Sequence, residues 1–265
     1  MTDLPNNEEM LLYAKRNLEF FIKTFYLHFY SDIELLQAPA QPETEEQRLK
    51  RLISEKESFF QSGLVILFNS AEIYLKSIIA EHSVYLLLKE VKDCYKNKSF
   101  FECSTLDATE LHRIAQSISG RNLSPRFNEI YDILRKERNK VIHLGKSNNK
   151  EIRKDFLSAF LIFREEIYQE PLNNLVHCLI NDKNMPEQKL VEAKKNYAAS
   201  IIDMMKTFFP LDDILANIYK IDGKPKNWNV CTNCQTPGKT LAVISKTKSI
   251  CLSCDFKIGL YTWKT

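Results

Sequence analysis

Residues 124–145 read SPRFNEIYDILRKERNKVIHLG. The string carries a helix signal at each end. Ser124 can accept a hydrogen bond from a free backbone N–H at a helix start, and Pro125 already holds the φ of a first helical residue. Beyond them Phe127, Ile130, Tyr131, Leu134 and Val141 recur at three- and four-residue spacing and make one apolar stripe. Gly145 supplies the left-handed residue with which many helices end. The spacing therefore predicts a helix from Pro125 to His143 with its stripe against a core.

The same period extends outward in both directions. Residues 8–36 are rich in Leu, Phe and Tyr at helical spacing, and the APAQP string at 38–42 breaks them. A long helical stretch follows from 44 to about 93, with an interruption near His82 and Ser83. Its most apolar part, 60–87, is predicted to run through the middle of a bundle. Asp107 and Glu110 read as a capping box for a short helix to Ile118, or alternatively as a polar turn, and Gly120 closes the segment. After a loop at 146–149, residues 151–181 form another helix, which Pro171 kinks or splits. A last helix runs from Pro186 to about 209 or beyond. From 226 the pattern changes. Residues 240–245 and 258–263 are short, β-branched and aromatic, and 246–248 read as a hairpin tip between strands. The expected fold is mostly α: a helical bundle over residues 1–222, in which helix 8–36 is either a member or an accessory, then a small β ribbon over 226–265.

Composition narrows the function classes. The chain has 265 residues, 44% hydrophobic and 27% charged, an ordinary globular balance. The longest uninterrupted apolar run is 63–68, far short of the ~20 residues of a membrane helix. The polar, acidic start lacks the order of a signal peptide. With Cys94, Cys103 and Cys178 read as free thiols, the expectation is a cytoplasmic protein with no membrane partner. Only six glycines are present, none in a nucleotide-binding loop, which argues against a P-loop ATPase or a dinucleotide enzyme.

Net charge is +3 but uneven. Residues 226–265 hold six Lys and one Asp, or +5, which leaves −2 for the rest. Residues 121–154 hold ten Lys or Arg against four Asp or Glu, or +6. Such a run is commonly a solvated helix face and gains meaning from the residues inside it.

Cys231 and Cys234, then Cys251 and Cys254, form two Cys-x-x-Cys pairs with sixteen residues between them. Thiolates three residues apart can grip one ion from a tight turn, and a hairpin brings the second turn across. Four sulfurs close the coordination sphere, so the expected cofactor is one structural zinc per chain and no catalytic metal. A ribbon of forty residues has too little core to fold alone, and the metal supplies much of its folding energy. Counted with zinc and four thiolates, its charge falls from +5 to about +3. Lys side chains and the rings of Trp228, Tyr261 or Trp263 could meet nucleic acid, or the rings could form the ribbon's own core, which is preferred for each.

The string Arg138-Asn139-Lys140-Val141-Ile142-His143 closes the basic helix. Arg138 falls on the apolar stripe, so its guanidinium needs a carboxylate or an anionic ligand. His143 lies at the helix C-terminus, where the dipole favours positive charge. Arg138 and His143 are five residues apart, roughly 140° around a regular helix, whereas Asn139 and His143 share a face. A single helix therefore makes an incomplete site, and two around a two-fold axis could complete it. The alternatives are an ion pair of Arg138 with Glu72 or another core carboxylate and a capping role for His143.

This string, with residues 69–76 as an earlier core helix and Phe100, Phe101 and 105–114 as the bridge between them, resembles the HEPN superfamily over roughly residues 55–180. The resemblance implies a metal-independent endoribonuclease that works as a homodimer on RNA, in a toxin or antiviral defence setting with a cognate inhibitor or defence partner. Carried over, Arg138 and His143 are the catalytic pair and Asn139 the supporting polar residue. The family also holds silent members. The alternative is therefore a catalytically silent dimeric scaffold whose ribbon binds nucleic acid or a partner protein, and a third reading is a subunit that acts only once its partner binds.

Overall fold

The computed structural model describes residues 2–37, 43–90, 98–145, 151–182, 184–220 and 224–259. Among them are nine α-helices followed by a four-stranded antiparallel sheet, in the expected order of helical bundle and small β unit.

The bundle is built around α3 (Glu57–His82), which packs against α1 (Asn7–Gln37), α4 (Leu111–Ser119), α5 (Pro125–Leu144) and α6 (Ile152–Phe163). It is long and apolar enough to cross a membrane, but 61% of its most apolar window is buried inside the bundle. Rings fill the centre. Phe21, Phe25 and Phe29 of α1 meet Phe59 and Phe60 of α3, Phe156 and Phe160 of α6, and Phe208 and Phe209 at the end of α8 (Glu187–Phe208). Gly63 sits where α3 crosses α6, against the ring of Phe156. The Ser70 hydroxyl donates to the Ala14 carbonyl at 2.7 Å, which satisfies a buried polar group between α1 and α3.

Several elements differ from expectation. The 44–93 helix is broken at Lys56, which separates α2 (Glu45–Glu55) from α3, and its ammonium pairs with the buried Asp32 of α1 at 3.0 Å. The capping box at 107–110 does not form. The Asp107 carboxylate is taken by Lys89 at 2.6 Å, residues 107–110 make a turn, and α4 begins at Leu111. The boxes that do form are Thr44 with Gln47 and Ser99 with Glu102. The helix expected over 151–181 splits before Pro171. After α6 comes one π turn, Arg164–Tyr168, then Gln169 in the left-handed region, and α7 (Leu172–Leu175). The last expected helix ends at Phe208, where Phe209 turns extended before Pro210, and α9 (Leu211–Tyr219) follows as a separate helix. Cys103 is in a disulfide and is not a free thiol, whereas Cys178 is free. The 38–42 break, the 146–149 loop, Cys94, Tyr261 and Trp263 lie outside the described residues.

The sheet runs β1 (Asn227–Asn229), β2 (Leu241–Val243), β3 (Ser249–Cys251), β4 (Lys257–Ile258), each strand antiparallel to the next. Its apolar residues Ala242, Ile244, Ile250 and Leu252 belong to the same buried cluster as the helices. The ribbon therefore lies on the bundle and shares its core.

Candidate functional site

Two arrangements carry chemistry. The first lies along α5. Ser124 caps that helix by accepting from the Phe127 amide at 3.2 Å, and Gly145 ends it at φ 74°. The stripe places Phe127, Ile130, Tyr131 and Leu134 in the core. Arg138 and Asn139 are half-buried and line a cleft of about 490 Å³ between α5, α3 and residues 105–109. Arg135, Glu72 and Lys76 line the same cleft.

The charges of this cleft are unevenly matched. Glu72 is bonded to Lys76 at 2.6 Å, and Asp107 to Lys89. Arg135 meets Asp132 only at 3.5 Å. Arg138 lies 5.6 Å from the centre of the Phe68 ring, donates from Nη1 to Asn139 Oδ1 at 3.0 Å, and leaves a buried Nε without an acceptor. No carboxylate among the described residues lies within ion-pair distance of it. The ion pair with Glu72 offered by the sequence is therefore not made, and the guanidinium is oriented by an amide that leaves its charge unneutralised. His143 stands exposed on the last turn and does not line the cleft. Its neighbours Ile142 and Leu144 are also exposed, at 51% and 73%. One chain thus brings together Arg138 and Asn139 but not His143.

The second arrangement is the cysteine cluster. The sulfurs of Cys231, Cys234, Cys251 and Cys254 lie within 4.8 Å of one another, with Cys231 to Cys254 at 3.9 Å and Cys234 to Cys251 at 3.8 Å. A tetrahedral ion about 2.3 Å from each sulfur, as zinc is in thiolate sites, requires edges of about 3.8 Å, so the residues fit such an ion. The two halves repeat one turn. The Gln235 amide donates to the Cys231 carbonyl at 2.9 Å and the Asp255 amide to that of Cys251 at 3.0 Å. Gln235 and Asp255 both hold positive φ, 53° and 58°. Thr236 Oγ1 lies 3.2 Å from the Cys234 sulfur, and the Asn233 amide donates to Cys254 at 3.6 Å, contacts that fix ligand orientation. The hydrogen bond from Cys251 holds the Cys254 thiol down, to about 5, although burial opposes it.

Pattern reading missed the residues that join the two arrangements. Arg164, 2% exposed, is bidentate to Asp255, with Nη1 to Oδ2 at 2.6 Å and Nη2 to Oδ1 at 2.7 Å. Glu165 accepts from Lys257 at 2.8 Å and from the Tyr219 hydroxyl at 2.7 Å. Its carboxyl is pushed up by burial, yet Lys257 and then Arg164 hold it below the usual range. Trp228 is half-buried between ribbon and bundle. Its indole N–H donates to Asp212 at 3.0 Å and the Lys206 ammonium lies 4.6 Å from the ring centre. The available signal was an arginine directly after the apolar run 160–163 and an aspartate directly after the last cysteine of the pair.

No family model, curated protein or solved structure matches this chain.

Proposed function

We propose that this chain is a metal-independent endoribonuclease of HEPN type, acting as a homodimer in a toxin or defence setting. The observation that supports it is the state of Arg138, held by Asn139 in an open cleft with no carboxylate among the described residues to neutralise it. RNA supplies its own nucleophile, the 2′-OH. Attack on phosphorus forms the P–O2′ bond and breaks the P–O5′ bond, leaving a 2′,3′-cyclic phosphate and a free 5′-hydroxyl. Arg138 binds the non-bridging oxygens as charge builds there. His143 takes the proton released by the 2′-OH and relays it to the leaving 5′-oxygen. Because His143 stands outside its own chain's cleft, a second copy completes the site, and the exposed Ile142 and Leu144 beside it offer the apolar surface for that contact.

The cysteine cluster holds zinc in this reading, as a closed site that supplies folding energy and takes no part in the reaction. The same position of His143 favours one other reading, a silent dimeric scaffold that binds RNA or a partner protein without cutting.

The test is incubation of purified protein with mixed single-stranded RNA under brief chelation, beside folded Arg138→Ala and His143→Ala. Cleavage with cyclic-phosphate ends, lost in both variants, is the expected result. Retained RNA binding with no cleavage in the parent would leave the scaffold.

A further inference from the structure

The π turn at Arg164–Tyr168 faces two ways. On one side Arg164 clasps Asp255, the residue next to metal ligand Cys254, while Glu165 accepts from Lys257 of β4. On the other side Glu165 lies 3.4 Å from the Arg126 guanidinium in the first turn of α5, and Glu166 accepts from the Ser124 amide at 3.3 Å. Arg126 also donates to the Ile218 carbonyl of α9 at 2.9 Å. Three successive side chains thus tie the metal turn and the last described strand to the start of α5. The far end of that helix carries Arg138, Asn139 and His143.

We propose that metal occupancy of the cysteine cluster controls how firmly the N-terminal end of α5 is held, through the clasp of Asp255 by Arg164 and the shared carboxylate of Glu165. The left-handed backbone of Asp255 and its amide bond to Cys251 set where the carboxylate points. Both depend on the closed Cys-x-x-Cys turn, which a bound ion holds together. Release of the ion frees the turn, and Asp255 no longer meets Arg164. A guanidinium buried without its carboxylate is strongly unfavourable, so the π turn must rearrange to hydrate it. Rearrangement withdraws Glu165 from Arg126 and Glu166 from Ser124. The arrangement is a two-ended contact in which each end biases the other, as coupling requires. The inference rests on the cluster binding metal and not on the chemistry at Arg138, so metal content and exchange answer it without an activity assay.

The experiment is hydrogen exchange on the full chain, zinc-loaded and after brief chelation, with metal content measured in each sample. Asp255→Asn and Lys257→Met, both kept zinc-loaded, separate the clasp from ribbon unfolding. Amides of residues 124–131 are expected to exchange at least about fivefold faster after chelation and in Asp255→Asn, with those of α3 changed less than about twofold. Lys257→Met is expected to give a smaller rise confined to the same residues. Unchanged exchange at 124–131 in both the stripped protein and Asp255→Asn would overturn the inference. So would an equal rise in α3, which would mean general loosening of the bundle. A preparation in which the cluster takes up no zinc would remove its premise and leave the RNA reading standing.

Discussion

Gly63 faces the ring of Phe156 at the α3–α6 crossing, and a Cβ there would overlap that ring. Both residues are buried, and the Phe156 ring is packed against those of Phe21, Phe59 and Phe60, so neither can yield easily. Gly63→Ala is expected to destabilise the protein by about 1–3 kcal/mol despite the better helix propensity of alanine, as overpacking does. Urea unfolding of the two proteins measures it, and a stabilised variant would show that the helices part freely. Glu165 makes a second single-residue case. Its folded value is depressed below the ordinary 4.5, first by Lys257 and then by Arg164 against the opposing effect of burial. A depressed carboxylate contributes stability in full above its unfolded value and loses it as pH falls through the folded one. The stability gap between parent and Glu165→Gln should therefore stay level from about pH 7 to 5 and narrow below 4.5. A gap that widens on acidification would reverse the assigned sign.

At the scale of elements, sequence legibility followed the strength of local signals. The start and end of α5 were legible because Ser124, Pro125 and Gly145 each act through their own backbone. Ser124→Ala should accordingly cost about 1 kcal/mol, read from the same unfolding measurement. Boundaries set by distant contacts were not legible. Asp107 carries the residue type for a cap, but Lys89 occupies its carboxylate, and that competition is written in two separated segments. The break at Lys56 depends on Asp32 of α1, twenty-four residues earlier. The strands β1 and β3 hold three residues each, too few for a two-residue alternation to stand out. The π turn was invisible for a further reason. Its extra residue is stabilised by what Arg164 and Glu165 reach on the ribbon, not by the preferences of the turn itself. The candidate site divides along the same line. Residue types, spacing and the family resemblance singled out Arg138, Asn139, His143 and the four cysteines, while the exposure of His143 away from the cleft, and the neighbours that leave Arg138 with no carboxylate among the described residues, became visible only in the fold.

At the scale of the whole molecule, the ribbon and the bundle share one apolar cluster, so loss of a metal held by the proposed site is expected to be felt at their seam. Trp228 reports on that seam because its indole N–H is held by Asp212 and its ring faces Lys206. Trp263 is the other tryptophan of the chain, and replacing it with Phe leaves Trp228 as the single emitter. In that background chelation should release one metal ion per chain and shift the emission to longer wavelength as Trp228 becomes wetter. Readdition of zinc should reverse the shift. Cys251→Ser, which removes a buried ligand, should start near the stripped spectrum with little bound metal. The comparison separates two roles for the ion. If it only folds the ribbon's own turns, metal leaves without a change at Trp228, whose contacts are made by bundle side chains. If it holds the ribbon in register on the bundle, release and red shift follow the same chelator dependence. The Arg164–Asp255 pair, which joins the second cysteine turn to the bundle, predicts the second behaviour.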